Sequence, residues 1–308
     1  MKLEVRDIEY FAVVAQHGHV GRAAESLGLS QPALSKSLRR LEQSLGAKLV
    51  KRTPKGVDLT EVGAALLSRV RGLQLSLDDI AREAADLSEG RAGRLRVGTG
   101  PATAEGFLPD VCRALLMSAP KITLSVTIAA SNDVLLPALR KGELDIVVNH
   151  VRQAPLYHGL TREPLWDNEF VVYCSVTHRL AKRKSVALGD LVKERWTTTA
   201  GSAFTSSQSL IQTFANHGLP PPQIALVSDS ITLTHRTVAA TDLLGFSAKQ
   251  TVRPDARHGP LKILPVKDVQ WIRPVAVVYR QDAYLSPAAL RFIEILKATA
   301  KEIAAETP

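Results

Sequence analysis

The chain has 308 residues, 45% of them hydrophobic, enough for two or three cored domains, and it carries a net charge of +9 that points to a polyanionic partner. It has no run of about 18 apolar residues, and the start Met1-Lys2-Leu3-Glu4-Val5-Arg6-Asp7 lacks the apolar stretch of a signal peptide, so a cytoplasmic protein with no membrane partner is expected. Two cysteines, Cys112 and Cys174, exclude a disulfide framework, and neither they nor the eight histidines show metal-ligand spacing, so no metal and no cofactor are expected.

Ile8, Phe11, Ala12 and Ala15 mark the apolar side of a first helix. Val20, Ala23, Ala24 and Leu27 follow, then a turn at Gly28-Leu29-Ser30, then Gln31-Pro32-Ala33-Leu34-Ser35-Lys36-Ser37-Leu38-Arg39-Arg40-Leu41-Glu42. Ser30 is a natural N-cap, and Pro32 falls in a first turn whose backbone donors have no intrahelical partner, so a helix is predicted from Gln31. Leu34, Leu38, Leu41 and Leu45 form its apolar stripe, which leaves Gln31, Ser35, Lys36, Arg39 and Gln43 elsewhere on the surface. Such groups meet base edges and phosphates in a major groove that admits a helix. Residues 49–52 and 57–60 then read as a hairpin around Thr53-Pro54-Lys55-Gly56. From Gln31 to Gly56 seven Lys or Arg face one acid, Glu42, so helix and wing form one cationic surface. Residues 94–308 hold 25 basic and 18 acidic residues, so local arrangement rather than total charge supports DNA binding.

These segments, with Tyr10-Phe11-Ala12-Val13-Val14-Ala15, Ala23-Ala24-Glu25-Ser26-Leu27 and Leu45-Gly46-Ala47-Lys48-Leu49-Val50-Lys51-Arg52, resemble the LysR-type family of bacterial transcriptional regulators. The resemblance implies a winged helix-turn-helix in which Ser30, Gln31, Pro32, Ser35, Lys36 and Arg39 serve the major-groove interface and Arg52 lies against the backbone or minor groove of double-stranded DNA. It also implies no enzymatic activity, an interrupted palindromic promoter site, a homotetramer, contact with RNA polymerase, and control of a neighbouring operon.

Leu66, Val70, Leu73, Leu77, Ile80, Ala84 and Leu87 alternate in steps of four and three, a heptad seam that one helix cannot bury alone. Thr60 is its predicted cap, and Gly90 and Gly93 mark its end. A homodimer through this helix would set two winged domains on two half-sites.

Beyond Gly93 strands alternate with helices: strand 95–98, a loop over 99–103, a helix to about Met117, strand 122–128, a helix opening at Ser131-Asn132, and strand 144–148. This βαβαβ order implies a parallel sheet with right-handed crossovers. Gly98-Thr99-Gly100 suggests a dinucleotide loop, but Thr103 stands at the third glycine position and no acid closes the second strand. A second α/β unit is read from Trp166, with strand 170–175, a short helix 188–192, strand 196–199, helix 206–217, strand 224–227 and helix 230–240. Strand 275–279 and helix 287–304 return to the first unit.

The expected class is therefore α/β with an N-terminal winged helix-turn-helix (1–60), a linker and dimerisation helix (61–90), and a two-subdomain, periplasmic-binding-protein-like type 2 effector domain, subdomain I at 94–165 with 268–308 and subdomain II at 166–267. Two sheets joined by two crossovers would enclose a crevice lined by helix N-termini suited to a small carboxylate effector. By position in the resemblance, its candidates are Thr99, Ala102, Thr103, Asn132, His150, Ser202, Phe204 and Thr205. Some relatives sense peroxide with closely spaced cysteines, a spacing Cys112 and Cys174 do not have. Two other readings stay open from the residues: an architectural DNA binder without effector, and an α/β solute-binding protein or enzyme with an accessory helical domain. The enzyme reading has no Gly-x-Ser-x-Gly elbow to support it.

Overall fold

The structure, a computed structural model, describes residues 3–54, 56–89, 93–151, 157–198 and 206–305. The chain divides into two compact units, Met1–Arg82 and Glu83–Pro308.

In the first unit, α1 (Val5–His17), α2 (Val20–Ser26) and α3 (Gln31–Leu45) precede the hairpin β1 (Val50–Thr53) and β2 (Gly56–Leu59), and α4 (Glu61–Glu89) begins directly after it. The helix α3 starts where Ser30 and Pro32 place it: Ser30 Oγ accepts from Ala33 N at 3.3 Å. Phe11, Val14, Ala23, Ala24, Leu34, Leu38, Leu41, Leu49 and Leu67 form the core. The wing is anchored at Gly56, whose φ of +138° and whose position, with an added Cβ 2.1 Å from the Gly18 carbonyl oxygen, admit no side chain. Val57 N donates to that same oxygen at 2.9 Å, so the turn after α1 holds the root of β2. Thr60 caps α4 as expected, its Oγ1 accepting from Gly63 N at 3.0 Å while donating to Lys48 O at 2.6 Å. Along α4, Leu67 and Val70 are buried, whereas Leu73, Leu77 and Ile80 are 48%, 52% and 61% exposed, so this stretch of the seam is uncovered in the single chain.

The second unit runs β3 (Arg94–Thr99), α5 (Pro101–Gly106), α6 (Leu108–Ser118), β4 (Thr123–Ile128), α7 (Asn132–Arg140), β5 (Ile146–His150), β6 (Leu160–Ser175), β7 (Arg195–Thr198), α8 (Ser206–Asn216), β8 (Gln223–Val227), α9 (Ile231–Ala239), β9 (Gly245–Ala248), α10 (Lys249–His258), β10 (Leu261–Ile263), β11 (Trp271–Arg280) and α11 (Pro287–Ala305). A 3-10 turn at Leu188–Leu191 precedes β7. As the βαβαβ pattern requires, β3 pairs in parallel with both β4 and β5.

Several elements depart from the expectations. The loop over 99–103 is shorter than read, because Pro101 opens α5, and the following helix breaks at Phe107. The third strand runs to His150. The largest difference concerns the crossovers. The strand expected at 170–175 spans Leu160–Ser175, and it pairs antiparallel with β11 from Leu160↔Arg280 to Phe170↔Trp271. The two expected sheets are therefore joined through their own crossovers into one seven-stranded sheet of order β10-β6-β11-β5-β3-β4, with β9 also on β6, while β7 and β8 form a separate parallel pair.

The β6–β11 ribbon passes through two cores. Trp166 and Val275 pack with Leu95, Val111, Leu115 and Phe292, whereas Phe170 and Trp271 pack with Trp196, Leu210, Phe214 and Leu244. Between the cores the register slips: Val275 faces Trp166 and Ala276 faces Pro164, which leaves Leu165 as the extra residue of a β-bulge.

Candidate functional site

On α3 the residues Pro32, Lys36, Arg39 and Gln43 follow one another at steps of four, three and four and are all exposed, as is Gln31. Ser35 is half-buried beside them, and Ser30 is exposed with its hydroxyl engaged as the cap. The flanks of the helix are fixed by ionic contacts that the sequence did not announce. Asp7 on α1 is buried and accepts from Arg40 Nε at 2.6 Å, from the other end of the Arg40 fork at 2.5 Å, and from Ser37 Oγ at 2.5 Å. The Arg40 hydrogen bonds outweigh burial and hold this carboxyl below the usual carboxylate range. Glu42, also buried, joins α3 to the wing: its Oε1 accepts from Leu49 N at 2.9 Å and Val50 N at 3.4 Å, and its Oε2 from Lys48 Nζ at 2.7 Å. Burial would raise its pKa, but Lys48 and the two backbone donors overcome that and lower it.

Thus two of the seven cations, Arg40 and Lys48, are consumed in holding α3, and Lys55 lies outside the described residues. Lys36 and Arg39 on the helix and Lys51 and Arg52 on β1 are exposed and make no ion pair with any described residue. Each is a cation available to neutralise a phosphate.

In the second unit the expected ligand residues fare unevenly. Thr99 is fully buried and its Oγ1 donates to Val148 O at 2.8 Å. Ala102 stands in α5, not in a loop, and packs against the core around Trp196. Thr103 is buried with no hydrogen-bond partner for its hydroxyl among the described residues. Asn132 opens α7 and spends its amide internally: Nδ2 donates to His150 O at 2.8 Å and Oδ1 accepts from Asn149 Nδ2 at 2.9 Å. Ser202, Phe204 and Thr205 lie outside the described residues.

His150 is where the structure gathers polar groups. Asn149 Oδ1 accepts from His150 N at 2.9 Å, and Asn168 Nδ2 lies 3.2 Å from His150 Nε2. Phe170 packs edge-on against the imidazole, ring centroids 5.2 Å apart, and the Arg273 guanidinium sits 5.4 Å from the same Phe170 ring. Burial, and after it the Arg273 cation, push the His150 pKa down to about 3. Gly100 borders the cluster, since a Cβ there would meet Asn149 Oδ1 at 2.6 Å. Asn149, Asn168 and Arg273 were not foreseen, because they come together only through pairing of β5, β6 and β11; the polar residues inside otherwise apolar strand runs were the available signal.

The N-terminus of α7 is not an open anion site. Ser131 Oγ accepts from Asp133 N at 3.1 Å and donates to Asp133 Oδ2 at 2.8 Å, which places a carboxylate where an anion would sit.

Residues 5–64 match the family described as bacterial regulatory helix-turn-helix protein, lysR family, and residues 88–301 match the LysR substrate binding domain. The chain belongs to the LysR family of bacterial transcriptional regulators. This LysR regulator is 29% identical to the HTH-type transcriptional regulator YdcI of Escherichia coli K12 over 300 residues, 96% of this chain and 95% of the relative. It is 26% identical to the transcriptional dual regulator OxyR of the same strain, covering 96% of this chain and 94% of OxyR. Among solved structures, full-length CbnR complexed with its target DNA superimposes with a TM-score of 0.62 at 22% identity, covering 96% of this chain and all of that one. A full-length OxyR variant of Pseudomonas aeruginosa gives 0.63 at 23% identity over 98% and 95% of the two chains, so the likeness extends through the whole fold. As a LysR regulator the protein is a DNA-binding transcriptional regulator with an effector-binding domain, and not an enzyme.

Proposed function

We propose that two copies of this regulator pair through the exposed seam of α4 and read the two halves of an interrupted palindrome in promoter DNA. Gln31, Pro32, Ser35, Lys36 and Arg39 enter the major groove, with Ser30 at its edge, and Arg52 follows the backbone or minor groove. The reading is carried by one observation: Lys36, Arg39, Lys51 and Arg52 are exposed and make no ion pair among the described residues, while Arg40 and Lys48 are neutralised. The uncovered Leu73, Leu77 and Ile80 support pairing of the long helix.

The second unit binds a small anionic effector between subdomain I (94–165 and 268–308) and subdomain II (166–267). Its binding shifts the balance between two arrangements of a homotetramer, and with it the bend of bound DNA and access of RNA polymerase. The separate cores on either side of the Leu165 bulge support this division. Peroxide is a poor fit as the signal. Cys112 and Cys174 pack in or against different cores, and burial raises both thiols, Cys174 to about 11. No described helix is long and apolar enough to cross a membrane.

Footprinting with the purified full-length chain tests the proposal. Protection of a symmetric, interrupted site upstream of an adjacent coding region is the expected outcome. Sequence-indifferent binding would replace it with an architectural role, and the absence of any protected stretch would remove it.

A further inference from the structure

We propose that His19 is a further DNA contact of the winged domain, its imidazole Nε2–H donating to a phosphate oxygen of the strand that α2 crosses. The proposal rests on the regulator reading above and adds to its interface a neutral donor from outside the cationic set.

His19 sits at a joint between three elements. It is the N-cap of α2, its Nδ1 accepting from Gly21 N at 3.1 Å and from Arg22 N at 3.5 Å. Its backbone lies against the root of the wing, since an added Cβ at Gly56 would stand 3.6 Å from His19 Cα. Its ring lies toward the start of the reading helix. An added Cβ at Gly21 would stand 3.1 Å from His19 Cε1 and 3.6 Å from Gln31 Oε1, so the imidazole and the first side chain of α3 flank one glycine. His19 and Gln31 are both exposed, and the imidazole therefore extends the surface that Gln31 begins.

The cap fixes which nitrogen faces outward. Ser, Thr, Asp and Asn are the usual caps, and their side chains end at the atom that accepts. A histidine cap has a second working end: a ring nitrogen that accepts carries no hydrogen, so the ring hydrogen of His19 is on Nε2, across the ring from the bonds to Gly21 and Arg22. Among the described residues nothing accepts from Nε2. The two backbone donors at the start of α2 are spent on Nδ1, so Nε2–H is what this corner offers an acceptor. In a helix-turn-helix the first helix of the motif crosses the DNA backbone while the second enters the groove. A donor placed there meets phosphate oxygens, a contact that fixes register without reading sequence. Arg22, exposed and without an ion pair among the described residues, supplies charge beside it.

Fluorescence anisotropy with the full-length protein at pH 7 and constant ionic strength, on the footprinted duplex and on a random duplex of equal length, tests this with two variants that separate the two ends of the ring. His19→Asn keeps an acceptor where Nδ1 stands and removes the outward donor, whereas His19→Gln carries an amide donor toward the place of Nε2 and gives up the cap. The asparagine variant should unfold in urea as the parent does and bind both duplexes about 3- to 10-fold more weakly, the effect of one neutral hydrogen bond. The glutamine variant should unfold at lower urea yet keep most of the affinity while folded. Ethylation interference identifies the acceptor: a phosphate in each half-site whose ethylation weakens the parent should cease to matter in His19→Asn. His19→Ser, which also caps without reaching outward, carries the test if the asparagine variant does not fold. Parent-like affinity in the folded asparagine or serine variant, a loss confined to the footprinted duplex, or an unchanged interference pattern would overturn the contact. A parent footprint survives that failure and keeps the regulator reading, whereas a parent that protects no DNA removes that reading and the contact with it.

Discussion

Glu42 offers a sharp test of how the reading helix is held. Glu42→Ala strips the Leu49 N–H, on a fully buried residue, of its acceptor, at a cost of about 1–3 kcal/mol. Lost packing of the side-chain methylenes adds about 1 kcal/mol, for a total near 2–4 kcal/mol. Glu42→Gln behaves differently. Its Oε1 still serves Leu49 and Val50, and what it loses is the pairing with Lys48, a side chain 76% exposed, so the cost stays below about 1 kcal/mol. The tryptophans, 166, 196 and 271, all lie in the second unit, so their fluorescence is blind to the first. Urea unfolding followed by far-ultraviolet circular dichroism, with fluorescence as the internal control, separates the two. The alanine variant should destabilise the part of the transition that fluorescence does not report, and it should weaken DNA binding. If alanine costs less than about 0.5 kcal/mol, or glutamine costs as much as alanine, Glu42 does not act through the wing backbone as described.

Arg39→Ala should weaken binding to the specific site by about 1–3 kcal/mol while sparing random duplex; equal losses in a fluorescence anisotropy titration on both would make it a phosphate contact. Leu77→Asp should raise the dimer dissociation constant by about 100-fold or more, since two half-exposed leucines per dimer lose their burial, and sedimentation equilibrium reads this directly. The folded-state pKa values of Asp7, through its Arg40 hydrogen bonds, and of Glu42 are depressed, so the stability they give is present above the unfolded carboxylate range near about 4 and is lost as pH falls through the lower folded values. Urea midpoints of the first unit should therefore hold from pH 7 to about 5 and drop below about 4. The double variant Cys112→Ser with Cys174→Ser should footprint as the parent does, with or without submillimolar peroxide; a peroxide-dependent change in the parent alone would restore a redox signal.

The DNA-binding half was legible because its instructions are local. A cap at Ser30, a proline at position 32 and four leucines at helical spacing fix α3 without reference to anything distant. What fixes its tilt, the Asp7–Arg40 and Glu42–Leu49 contacts, was not legible, since a charge run reads the same whether its members face water or each other. The βαβαβ half of the effector unit announced itself by alternation and caps. Leu160–Glu169 did not, because its charged residues hide a strand that only its pairing with β11 reveals. Lys249–His258 was missed as a helix because it is strongly polar, with Pro254 inside it. The ligand candidates followed the same division: Asn132 and His150 could be placed by position, but Asn168 and Arg273 became neighbours of His150 only through long-range register.

The extra residue at Leu165 gives the ribbon a built-in swivel. Both cores pack on the same pair of strands, and a bulge is where such a ladder twists most readily. A change of twist at Leu165 would therefore alter the setting of one core against the other.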